Sequence, residues 1–112
     1  MKGDEDYSSL VKDVIYLHEN PDFQKLSTLV SRSVIEDKES WFGEEKYEEV
    51  CNAIERELGA NLSVDHIIDS RKSSVYSLWK ARYSKCDYEV LWHIYVDNDG
   101  KICAMAVDWG QI

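Results

Sequence analysis

The sequence predicts an α+β fold, helices first and an antiparallel sheet after, and three observations carry that expectation. Apolar residues recur at helical spacing up to Leu58, then alternate with polar ones from Leu62 onward. Asn20-Pro21 and Gly59 punctuate the helical half at a break and at a stop. Asp99-Gly100, flanked by alternating apolar residues, is a hairpin signal late in the chain.

The first six residues, Met-Lys-Gly-Asp-Glu-Asp, are expected to form a disordered leader before a single domain over 7–112. A first helix carries the stripe Tyr7, Leu10, Val11, Val14, Ile15 and His18. Asn20 is suited to a helix cap and Pro21 to a first helical position, so a second helix follows. Its stripe is Phe23, Leu26, Leu29, Val30 and Val34. After a polar connection, Trp41-Phe42 leads into a third helix with Tyr47, Val50, Cys51, Ile54 and Leu58 on one face. Glu44 and Glu45 complement the dipole of its first turn, and Gly59 supplies its C′ position.

Four strands are expected over 63–69, 75–84, 87–97 and 101–109. A two-residue loop at Asp99-Gly100 pairs Asn98 with Lys101, so Val96 faces Cys103, Ile94 faces Met105 and Trp92 faces Val107. A turn around Lys85-Cys86 pairs Tyr83 with Tyr88, Ala81 with Val90 and Trp79 with Trp92. The two registers agree. One face then collects Val75, Trp79, Ala81, Tyr83, Tyr88, Val90, Trp92, Ile94, Val96, Cys103, Met105, Val107 and Trp109, and the helices should cover it. The other carries Tyr76, Leu78, Lys80, Arg82, Glu89, Leu91, His93, Tyr95, Ile102, Ala104, Ala106 and Asp108, with Arg82 opposite Glu89.

Thirteen basic residues against 22 acidic ones leave a net charge of −9, which opposes binding to phosphate backbones. Arg71, Lys72, Lys80, Arg82 and Lys85 form an acid-free stretch, read here as a solvated strand face. No apolar run approaches the roughly 20 residues of a membrane span, and the polar N-terminus lacks a signal-peptide core. Cys51, Cys86 and Cys103 are odd in number and without Cys-x-x-Cys spacing, which fits a reducing compartment, the cytoplasm.

Helix, Asn-Pro-Asp-Phe break, helix, and a meander ending in Val96-Asp97-Asn98-Asp99-Gly100-Lys101-Ile102 resemble the cystatin-like, or nuclear-transport-factor-2-like, superfamily. Within it, the small bacterial domains of unknown function are most alike. The segments concerned are Glu45–Gly59, Val75–Lys85 and Asp87–Val107. The resemblance implies N-terminal helices packed on one face of a curved four-stranded antiparallel sheet, often with a cavity between them. It also implies frequent dimerisation through the outer face, and activities that range from ketosteroid-isomerase-like catalysis and dehydration to ligand binding and scaffolding. Fold does not select among these.

Isomerase chemistry needs a carboxylate or a Tyr/Asp pair inside an apolar pocket. The inner face offers aromatics and no Asp, Glu or Lys, so no catalytic residue is assigned. Trp79, Tyr83, Tyr88, Trp92, Trp109 and His66 are the candidates to line a pocket for a small apolar ligand. His18, His66 and His93 lack metal-ligand spacing, and Asp97-Asn98-Asp99-Gly100 lacks the flanking carboxylates of a calcium loop, so neither metal nor cofactor is expected. Cys51 and Cys103 read as inert packing residues. Tyr76, Leu78, Leu91, His93, Tyr95, Ile102, Ala104 and Ala106 make the outer face too apolar to be left in water, which points to a homodimer. The expected function is thus a non-catalytic, homodimerising domain able to hold a small apolar ligand. The rivals are an isomerase- or dehydratase-like enzyme, and an acidic immunity- or antitoxin-like protein. The latter would dock a basic protein through the acids of segment 36–57.

Overall fold

A computed structural model describes residues 7–71 and 75–109. The expected leader over 1–6, Lys72 and the last three residues lie outside them. Four helices, α1 (Ser8–Glu19), α2 (Phe23–Ser27), α3 (Arg32–Glu36) and α4 (Glu44–Glu57), precede four strands. These are β1 (Asn61–Arg71), β2 (Val75–Tyr83), β3 (Val90–Val96) and β4 (Ile102–Asp108). The strands form one antiparallel sheet in the order β1-β2-β3-β4. The molecule is α+β.

In β2 and β3 burial alternates with the strand period: Ser77, Trp79, Ala81, Tyr83, Val90, Trp92, Ile94 and Val96 are all buried. They share one core with Val11, Val14 and Ile15 of α1, Leu26 of α2, and Tyr47, Cys51 and Ile54 of α4. Trp79 donates its indole N–H to Ser77 Oγ at 2.6 Å, and Trp92 donates to Tyr83 Oη at 3.3 Å, so both buried rings are satisfied. The registers Trp79↔Trp92, Ala81↔Val90, Ile94↔Met105 and Trp92↔Val107 are those read from the sequence.

Three local expectations need correction. The second helix is two short ones, because the chain between them pairs with β4 instead. The Ile102 N–H donates to Leu29 O at 2.8 Å and the Ser31 N–H to Ile102 O at 2.9 Å, a parallel bridge centred on Val30 and Ile102. The hairpin loop holds three residues, since the Asp97 N–H donates to Lys101 O and Gly100 sits at φ +79°. Asp97 Oδ1 accepts the N–H groups of Asp99 and Lys101, which stabilises this longer turn. Val96 therefore faces Ile102, not Cys103, and a bulge beside Cys103 restores the expected register from Tyr95↔Ala104 onward. As a result Ile102, expected on the outer face, is fully buried, while Cys103 is only half-buried. Finally, Glu89 pairs with Lys80 at 3.3 Å rather than with Arg82, as β3 begins only at Val90 and the Tyr83–Tyr88 pair falls outside its ladder.

At the end of α4, the Gly59 N–H donates to Ile54 O and φ reaches +85°. A Cβ there would lie 2.8 Å from Lys85 Cγ, so both the left-handed backbone and the close approach of the β2–β3 turn require glycine.

Candidate functional site

Where α1, α2 and α4 meet β3 and β4, packing leaves a cavity of about 130 Å³ that opens to the surface beside Lys46 and Ala106. Its lining is mostly apolar: Leu26, Trp41, Phe42, Val50, Trp92, Met105 and Val107, with His18, Lys46 and Tyr47 as the ionisable members. Each wall follows from a local feature. The α1 stripe that buries Val11 and Val14 brings His18 inward one turn later. The connection before α4 is held by Trp41, whose indole N–H donates to Cys103 O at 3.2 Å, and by Lys46, whose Nζ donates to Ser40 O at 2.8 Å. Phe42 stacks on Phe23 with ring centroids 5.0 Å apart, which ties the same segment to α2.

Tyr47 is the junction of three helices. Its hydroxyl donates to Leu17 O near the end of α1 and accepts the Asp22 N–H at the cap of α2. Burial pushes its phenol up to about 12, and pushes the adjacent Cys51 thiol up to about 11, so neither ionises near neutrality. His18 packs edge-on against Tyr47 and Trp92, with centroids 5.1 and 5.0 Å away. Its Nδ1 lies 2.8 Å from Val14 O, and because a carbonyl only accepts, Nδ1 carries the hydrogen. Burial lowers the His18 pKa below its usual 6.5, outweighing the opposite effect of that bond, so the ring is neutral with its lone pair on Nε2.

Of the six residues expected to line a pocket, the cavity includes Trp92 alone. Trp79 and Tyr83 are buried in the core, and Tyr88 is half-buried after the β2–β3 turn. Trp109 is half-buried and donates to Glu57 Oε1 at 2.9 Å. His66 is exposed, its ring tilted over Trp79 at 4.7 Å and its Nε2 2.9 Å from Asp69 Oδ1. His18, Trp41, Phe42 and Tyr47 took their place. Each stood on or beside a recognised helical stripe, but the sequence does not reveal which stripe residues border a packing gap.

On the outer face Tyr76, Leu78, Leu91, His93 and Ala104 are half-buried, while Tyr95 and Ala106 are exposed. Tyr76 Oη is 2.8 Å from His93 Nδ1, and His93 Nε2 is 2.9 Å from Asp108 Oδ2, a chain of contacts across three strands. Among the described residues no three of His, Cys, Asp and Glu converge as metal ligands would, and no helix is long and apolar enough to cross a membrane. No protein-family model, curated protein or solved structure matches the chain.

Proposed function

We propose that this chain is a non-catalytic binding domain of the cystatin-like kind, its helices lying on a curved sheet and holding a small apolar molecule in the His18 cavity. The size and lining of that cavity carry the reading. A cavity of roughly 150 Å³ holds one benzene, so about 130 Å³ has room for a single six-membered ring. The lining contains no Asp or Glu, which leaves isomerase-like proton transfer without its carboxylate. The acids of α4 are exposed, which suits a solvated helix face and a docking face for a basic partner alike. Toluene is a direct probe. A ligand that binds only the folded state raises the melting temperature as its concentration passes the dissociation constant. A melting temperature unmoved by near-saturating toluene would remove the proposal.

The same domain is proposed to homodimerise through the outer sheet face, in the cytoplasm. The observation in favour is electrostatic. Lys80 and Arg82 offset two of the three acids on that side, Asp65, Glu89 and Asp108, whereas the whole chain carries −9, so two copies meet there with comparatively little repulsion.

A further inference from the structure

We infer that the ligand of the cavity is a monocyclic aromatic bearing one O–H or N–H donor, a phenol in the simplest case, and that this donor bonds to His18 Nε2. The inference rests on the cavity reading above and adds the chemistry of the ligand. Nδ1 is committed to Val14 O at 2.8 Å, while Nε2 has no hydrogen-bond partner among the described residues. No fully buried side-chain nitrogen or oxygen among those residues lacks a partner, so Nε2 must reach open space.

His18 borders two spaces, the apolar cavity and a larger groove of mixed lining that includes Glu19, Ile54 and Lys85. The two rings that meet His18 edge-on, Tyr47 and Trp92, line the cavity and not the groove. The other polar side-chain groups on the cavity wall each hold a partner, although the exposed Lys46 ammonium keeps donors to spare. Tyr47 Oη holds Leu17 O and the Asp22 N–H, Trp41 holds Cys103 O, Lys46 holds Ser40 O, and Trp92 holds Tyr83 Oη. One unspent acceptor remains beside an apolar pocket that is open on one side. A ligand that offers a donor satisfies it, whereas a purely apolar ring leaves the lone pair unmet.

Phenol and toluene differ by hydroxyl against methyl and separate the two ideas. Dissociation constants are measured for both on the full chain and on its His18→Phe variant. The wild type should bind phenol at least as tightly as toluene. In His18→Phe the ratio of phenol affinity to toluene affinity should fall about tenfold or more, because the hydroxyl loses its partner while any change in cavity shape is felt by both ligands. The ring nitrogens of His18, followed by ¹⁵N NMR in the wild type, give a readout that needs no variant. The Nε2 resonance should move with phenol and stay with toluene. Toluene binding without a phenol preference, or phenol binding indifferent to His18, overturns the anchor and leaves the cavity reading standing. Failure of toluene to bind, with or without phenol, overturns the cavity reading and with it the anchor.

Discussion

Trp92 has no exposed surface and lies opposite Trp79 and Val107 on neighbouring strands, so its ring fills the centre of the core and one wall of the cavity. Replacing it with Ala should cost about 3–5 kcal/mol, read as a lower denaturant midpoint, since the surrounding strands cannot close the space. Trp92 could be assigned from alternation alone. His18 could not: the stripe Val11, Val14, Ile15 made it an inward residue, but its neutrality depends on burial against Tyr47 and Trp92, which are 29 and more residues away in sequence. Its pH signature follows from the lowered pKa. Below the unfolded value of about 6.5 the unfolded chain takes up a proton that the folded one refuses. Stability contributed by the neutral ring is therefore complete above that pH and is lost as the pH falls through and below it. The denaturant midpoint should drop more steeply between pH 7.5 and pH 5.5 in the wild type than in His18→Phe. Equal slopes would mean that the ring is not held neutral.

At the scale of elements, Tyr47 fixes the geometry of three helices through one hydroxyl. Tyr47→Phe leaves Leu17 O and the Asp22 N–H without that partner and should destabilise by about 1–3 kcal/mol, measured by urea unfolding. An unchanged midpoint would show that water replaces the hydroxyl at no cost. The helical half was legible where stripes and punctuation coincide: α1 and α4 fall where the apolar spacing put them, and Gly59 stops α4. Segment 28–31 was not legible, because Leu29 and Val30 fit a helical stripe equally well. Only the approach of Ile102, whose N–H and C=O both bond to that segment, decides in favour of an extended bridge. In the hairpin, Asp-Gly announced the turn but not its length. The Asp97 side chain captures two N–H groups and adds a residue to the loop, and the bulge beside Cys103 removes the resulting offset. Hence the central register was right while Ile102 and Cys103 exchanged environments.

The whole molecule joins the His18 pocket, lined from α1, α2, α4, β3 and β4, to a sheet face on which Lys80 and Arg82 offset most of the acids. Two copies joined by that face would cover Tyr95, which is 40 % exposed, together with Tyr76 and Leu91. Sedimentation at micromolar concentration should give a dimer, and Leu91→Glu with Tyr95→Glu should give a folded monomer, because paired carboxylates would have to be buried without partners. A wild-type monomer would remove the interface and leave the cavity untouched. The cavity is the central claim, and methyl NMR during a toluene titration tests it most directly. Saturable shifts should be concentrated at Met105, Val107, Val50 and Leu26, which line the cavity, with Val75 at the far end of β2 as the unmoved reference. Shifts that fail to saturate, or that fall on Leu78 and Leu91 of the outer face instead, would contradict it.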